Sequence, residues 1–135
     1  MLRRLFEALT ITDVSAHCDL PCGVYDPAQA RIEAESIKAT IAKYNASDDE
    51  AFKSRAIAVK EERSELVKHH LWVLWTDYFK PEHFEKYPQL HTLFNEATKL
   101  AGAGGTKSSL DESVADSLLA KIDEIAGIFW ETKKA

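Results

Sequence analysis

The chain has 135 residues, 45% of them apolar and 29% charged, with a net charge of −5 and a pI near 5.5. That length suits one domain around one core, and the composition argues against disorder. No apolar run approaches the ~20 residues of a membrane span, and the lack of a basic block in an acidic chain argues against a nucleic-acid or anionic-membrane partner.

The first segment, MLRRLFEALTITDVSA, joins Arg3 and Arg4 to a short apolar stretch and a small-residue end, as targeting segments do. Glu7 interrupts the stretch, whereas an export core needs ~7–15 uninterrupted apolar residues. Two other readings stand beside export: a short first helix, and a pro-segment removed in the cytoplasm. Next comes HCDLPCGVY, residues 17–25, which holds both cysteines of the chain.

From residue 26 onward the pattern is helical. Asp26-Pro27 starts a helix that should run to about Asn45, with Glu33, Ile37, Ile41 and Tyr44 on one face. Ser47 or Asp48 opens a second helix reaching about Phe79, with Phe52, Ala56, Val59, Leu66, Val73 and Leu74 on its buried side, and Lys80-Pro81 stops it. The segment PEHFEKYP reads as a turn region. A third helix follows with Leu90, Leu93, Phe94, Ala97 and Ala101 inside, ended by AGAGG. Ser109 and Glu112 have the spacing of a capping box for a fourth helix, which carries Val114, Leu118, Ile122, Ile125 and Phe129 on one face. No segment alternates as a strand does. The expected fold is all-α, an antiparallel four-helix bundle preceded by this N-terminal cysteine segment.

One charge falls on an apolar stripe. Helical steps from Ala56 and Val59 reach Arg63 before Leu66, and a buried arginine is expensive unless it is paired. Either Arg63 pairs with Glu33, or it snorkels to water from the stripe edge.

Two cysteines four residues apart have several uses. They pack as small apolar groups, or they close a local disulfide. Two cysteines and a histidine fall one short of the usual closed zinc site, and His69, His70, His83 and His91 each read as ordinary helix or turn histidines. Thiolates with nitrogen donors in a square plane instead select nickel or copper. A cut between Ala16 and His17 would free an amine and an imidazole at His17, beside the amide nitrogen and thiolate of Cys18 and the thiolate of Cys22. Pro21 and Gly23 suit the tight path that such a loop requires.

The stretch HCDLPCGVYDPAQARIEAES resembles the amino-terminal region of the nickel-containing superoxide dismutases, whose H-C-x-x-P-C-x-x-Y hook is highly specific. The likeness continues through KHHLWVLWTDYFKPEHFEKYP and IFWETKKA, nearly all of residues 17–135. It implies a division into a cleaved pro-segment (1–16), a nickel-binding hook (17–25) and a four-helix bundle (26–135). It also implies one nickel per subunit, held by His17, Cys18 and Cys22, with Glu33 and Arg63 holding the His17 ring. Asp19, Val24 and Tyr25 would line a small substrate pocket supported by Tyr78, with Tyr25 as gatekeeper.

The reaction so implied is dismutation of superoxide to dioxygen and peroxide by Ni(III)/Ni(II) cycling. A homohexamer, a processing protease, a cytoplasmic location, and neither nucleic-acid nor membrane partners complete the expectation. The alternative from another class is a non-enzymatic nickel or copper carrier using the same hook.

Overall fold

The computed structural model describes residues 22–134. Its elements are α1 (Ala28–Asn45), α2 (Glu50–Val73) continued by a π-helical turn (Leu74–Tyr78), the short α3 (Pro81–Lys86), α4 (Leu90–Leu100) and α5 (Glu112–Lys134). Helices α1, α2, α4 and α5 pack in a ring, each against the next and α5 against α1.

Pairs of side chains fix the directions. Asn45 at the end of α1 donates to Leu110 O just before α5, Trp75 near the end of α2 meets His91 at the start of α4, and Lys121 of α5 pairs with Glu96 of α4. The bundle therefore runs up, down, up, down, as the sequence leads one to expect, with α3 lying in the connection from α2 to α4. Among the described residues there is no strand, and no helix is long and apolar enough to cross a membrane.

The apolar faces of α4 and α5 lie inside as read from their spacing: Leu90, Leu93, Phe94, Ala97 and Ala101 on one, Leu118, Ile122, Ile125 and Phe129 on the other. Each fully buried Leu, Ile or Phe contributes about 1.5–3 kcal/mol. Val114 is only partly covered, and Ala115 takes the inner position. In α1 the smaller Ala30 and Ala34 share the inside with Ile37 and Ile41, which lets α2 approach closely.

Helix α2 departs further from expectation. Its buried residues are Ala56, Lys60, Ser64, Val67, Leu71, Val73 and Leu74; Ala56, Val73 and Leu74 are inside as expected, but Phe52 is exposed and Val59 and Leu66 are only partly covered. Lys60 is buried because its ammonium donates to three carbonyl oxygens of the α4–α5 connection, those of Thr106, Lys107 and Ser109, at 2.7–2.9 Å. Ser64 joins the same connection through a 2.7 Å hydrogen bond with Thr106. Burial pushes the Lys60 pKa below the ordinary lysine value, with nearby Glu61 opposing it. The three carbonyl oxygens satisfy all three of its hydrogens.

Two helix starts also shift. Asp49, rather than Ser47 or Asp48, caps α2 by accepting from the amides of Ala51 and Phe52. The Ser109–Glu112 capping box does not form. Asp111 accepts from Ser113 N at 2.8 Å, a bond that holds its carboxyl below the usual range, while Ser109 Oγ takes the amide of Asp111. The turn region after Pro81 contains α3, which Pro81 begins at its first position.

The glycines between α4 and α5 do more than end a helix. At Gly105 the backbone folds onto Leu100, whose carbonyl accepts from Thr106 N at 2.7 Å. A Cβ on Gly105 would lie 1.9 Å from that oxygen, whereas one on Gly104 meets nothing within 4 Å. Gly105→Ala is expected to destabilise the fold by about 1–3 kcal/mol through forced backbone movement. Gly104→Ala should stay within about 0.5 kcal/mol. Thermal unfolding followed by circular dichroism compares the two, and equal midpoints would refute the close-approach account.

Candidate functional site

The described part of the hook begins at Cys22, whose side chain is exposed. Val24 N donates to Cys22 Sγ at 3.4 Å, so the backbone turns back on the sulfur. Gly23 between them has φ +72°, a left-handed conformation that other residues rarely adopt. The chain then enters α1 through Asp26, which accepts from Ala28 N at 2.8 Å. His17, Cys18 and Asp19, together with segment 1–16, lie outside the described residues.

Gly23 and Tyr25 form one wall of an open cavity of about 360 Å³ at the end of the bundle. The other walls come from distant parts of the chain: Asp77 and Tyr78 from the π-helical turn, Lys80 and His83 from the start of α3, and Thr132 and Lys133 from the last turn of α5. The π-helical turn, closed by Phe79 N on Leu74 O at 2.9 Å, spans one residue more per hydrogen bond than an α-helix, so Tyr78 leaves the regular α-helical register and meets Tyr25. The two rings lie 5.6 Å apart. Beneath them Phe79, Phe94 and Phe129 close the end of the core. His83 Nδ1 accepts from Lys80 N at 3.0 Å, which places the proton of a neutral ring on Nε2.

The expected pair of Glu33 and Arg63 is present. Arg63 Nη1 donates to both carboxylate oxygens, at 3.0 and 3.2 Å, across the α1–α2 interface. Arg63 does lie at the edge of the buried stripe, with its side chain 35% exposed, while that of Glu33 is 16% exposed. The bond to Glu33 and its charge hold the guanidinium pKa above the ordinary value. Val24, by contrast, points largely to solvent in this chain.

Sequence reading missed Asp77, His83, Thr132 and Lys133 as cavity residues. Thr132 and Lys133 carry no pattern of their own, being ordinary polar residues near the end of a helix. The stretch WETKKA that contains them was part of the family likeness, and that was the one available signal.

The family model described as nickel-containing superoxide dismutase matches residues 12–133. The chain belongs to that family. It is 61% identical to the superoxide dismutase [Ni] of Streptomyces seoulensis and 59% identical to that of Streptomyces coelicolor, with all of each chain covered in both comparisons. It is also similar to a native nickel superoxide dismutase structure, at 59% identity and a TM-score of 0.84, covering 88% of this chain and all of the other. The chain is thus a nickel-dependent superoxide dismutase: superoxide is its substrate and nickel its cofactor. Full-length likeness to enzymes of this activity disfavours the metal-carrier alternative.

Proposed function

We propose that the dismutation centre of this enzyme is the hook 17–25, exposed by cleavage between Ala16 and His17, and that the Tyr25–Tyr78 cavity admits superoxide to it. The observation that carries this reading is the meeting of Gly23 and Tyr25, in the hook, with Tyr78 from the far end of α2 on one small cavity. Nickel would be held by the amine and imidazole of His17, the amide nitrogen and thiolate of Cys18, and the thiolate of Cys22. The donor chemistry fits, because the exposed Cys22 sulfur already accepts a backbone N–H, a contact that complements the negative charge of a bound thiolate. When bound, nickel supplies a one-electron couple that takes an electron from one superoxide and gives it to the next.

The protein's own residues do the rest. Glu33, fixed by Arg63, accepts from one nitrogen of the His17 ring and so aims the other at the metal, the usual task of such a carboxylate. Tyr25 gates the cavity and, with water, takes part in proton supply. Asp19 completes the hook wall, while Val24 stays on the solvent side of it. Lys80 and Lys133 place positive charge beside Asp77 at the mouth, which offsets the net charge of −5 for an anionic substrate.

Segment 1–16 is read as the pro-segment. The curated relatives match over all 135 residues, but the solved structure is matched completely by 88% of this chain, which leaves about 16 residues over. With Glu7 breaking its apolar stretch, the segment supports cytoplasmic processing by a protease rather than export. Self-association is supported by the large apolar side chains left on the surface of the single chain, among them Trp72, Trp75 and Trp130; a homohexamer with one nickel per subunit is the assembly that the sequence resemblance implies. No nucleic-acid or membrane partner is proposed.

Glu33→Gln tests the site directly. It keeps the shape of the side chain and removes the charge that holds both Arg63 and the histidine. Superoxide decay by the mature, nickel-supplied enzyme should slow by about 10–100-fold, or nickel affinity should fall by a similar factor. Unchanged turnover at unchanged nickel content would remove Glu33 from the centre and with it the proposed orientation of His17.

A further inference from the structure

Tyr78 is held on several sides. Its ring packs against Phe129 at 4.3 Å and lies nearly parallel to His83 at 5.9 Å, while the Lys133 ammonium sits 5.1 Å from its centroid. Its hydroxyl meets Thr132 Oγ1 at 2.6 Å, and Thr132 Oγ1 is itself 2.6 Å from Phe129 O one turn earlier in α5. Only one arrangement of protons satisfies both contacts. A carbonyl oxygen can only accept, so the single hydroxyl hydrogen of Thr132 goes to Phe129 O, a back-bond that helical threonines commonly make. Turned toward Tyr78 instead, it would leave Thr132 Oγ1 and Phe129 O facing each other at 2.6 Å with no proton between them. The Tyr78 phenol therefore donates to Thr132, and its oxygen offers lone pairs to the cavity.

The geometry points to Thr132 as a positioning residue that fixes Tyr78 as a hydrogen-bond acceptor toward the superoxide cavity. The protons that leave with peroxide then come from other groups, and Tyr78 serves to orient whichever donor, Tyr25 or water, delivers them. Helix α5, the element farthest in sequence from the hook, thereby contributes to the site through its last turn. This rests on the reading of the Tyr25–Tyr78 cavity as the place where superoxide enters, and the test separates the two.

The test uses the mature, nickel-loaded enzyme with Thr132→Val, Thr132→Ser, Tyr78→Phe and the Thr132→Val/Tyr78→Phe double variant, each checked for nickel content and melting temperature. Valine matches the volume of threonine, so folding should persist. Thr132→Val is expected to lower kcat/KM about three- to tenfold, the size of one neutral hydrogen bond. Thr132→Ser, which keeps the hydroxyl, should restore it to within about twofold of the parent. In the Tyr78→Phe background Thr132→Val should have no further effect, since there is no phenol left to orient. An equal loss in both backgrounds would overturn the positioning role and leave the cavity reading intact. Parent-like turnover by Tyr78→Phe alone would overturn the cavity reading, and the role of Thr132 with it.

Discussion

The uncut chain of 135 residues, supplied with nickel, is expected to show essentially no superoxide dismutation, and cleavage before His17 should switch activity on. The reason lies in the chemistry of one nitrogen. While Ala16 is attached, the nitrogen of His17 is a peptide amide, whose lone pair is delocalised into the carbonyl and which is a poor donor unless deprotonated. Cleavage turns it into an amine with a free lone pair and brings it into the same short loop as the donors of Cys18 and Cys22. The helices of the bundle should be indifferent to the cut, because α1 begins only at Ala28. Native mass spectrometry of cut and uncut protein, paired with superoxide decay kinetics, reads both consequences together. One nickel per subunit and assemblies of six are expected for the cut form. Full activity from a verified uncut chain would defeat the precursor reading.

Cys22→Ser should be nearly as severe. A hydroxyl is a hard, weakly acidic donor where a soft thiolate is needed, so the variant should lose bound nickel and more than about 100-fold of its activity, beyond the range for a lost supporting residue. The fold should survive, since Cys22 is exposed, precedes α1, and its short-range contacts are to Val24. Nickel content by elemental analysis and helix content by circular dichroism separate the two effects. Parent-level nickel in the variant would remove Cys22 from the donor set. The contrast with Glu33→Gln is instructive: one change deletes a proposed ligand, the other only the support of a ligand.

What was legible in the sequence follows from how locally each feature is determined. Helices α4 and α5 were readable because their apolar residues recur at helical spacing and their buried faces match those positions, from Leu90 to Ala101 and from Leu118 to Phe129. The charge pair was readable as a question only, since the stripe of α2 shows that Arg63 needs a partner without saying whether Glu33 is near enough. Contact across α1 and α2 answered it. Spacing places Ala56, Val73 and Leu74 on the buried side of α2 but Phe52, Val59 and Leu66 with them, because Lys60 and Ser64 look like surface residues until the carbonyl oxygens of Thr106, Lys107 and Ser109 and the Thr106 hydroxyl are brought over them. Likewise Asp111 and Ser109 can both cap a helix, and the choice fell to the path of a connection already tied down by Lys60.

By itself the sequence determined the all-helical bundle and the proposed set of metal donors, for the same physical reason: helical periodicity repeats within a few residues, and the hook packs its donors into one short run of chain. The tertiary structure alone decided what lines the Tyr25–Tyr78 cavity. The orientation of Tyr78, the arrival of Thr132 and Lys133 beside it, and the placement of His83 depend on a π-helical turn and on two helix ends that meet only when the bundle closes. No short-range pattern encodes contacts between residues 54 positions apart, such as Tyr78 and Thr132. They exist because burying the apolar faces of α1, α2, α4 and α5 together leaves those ends no other place to go.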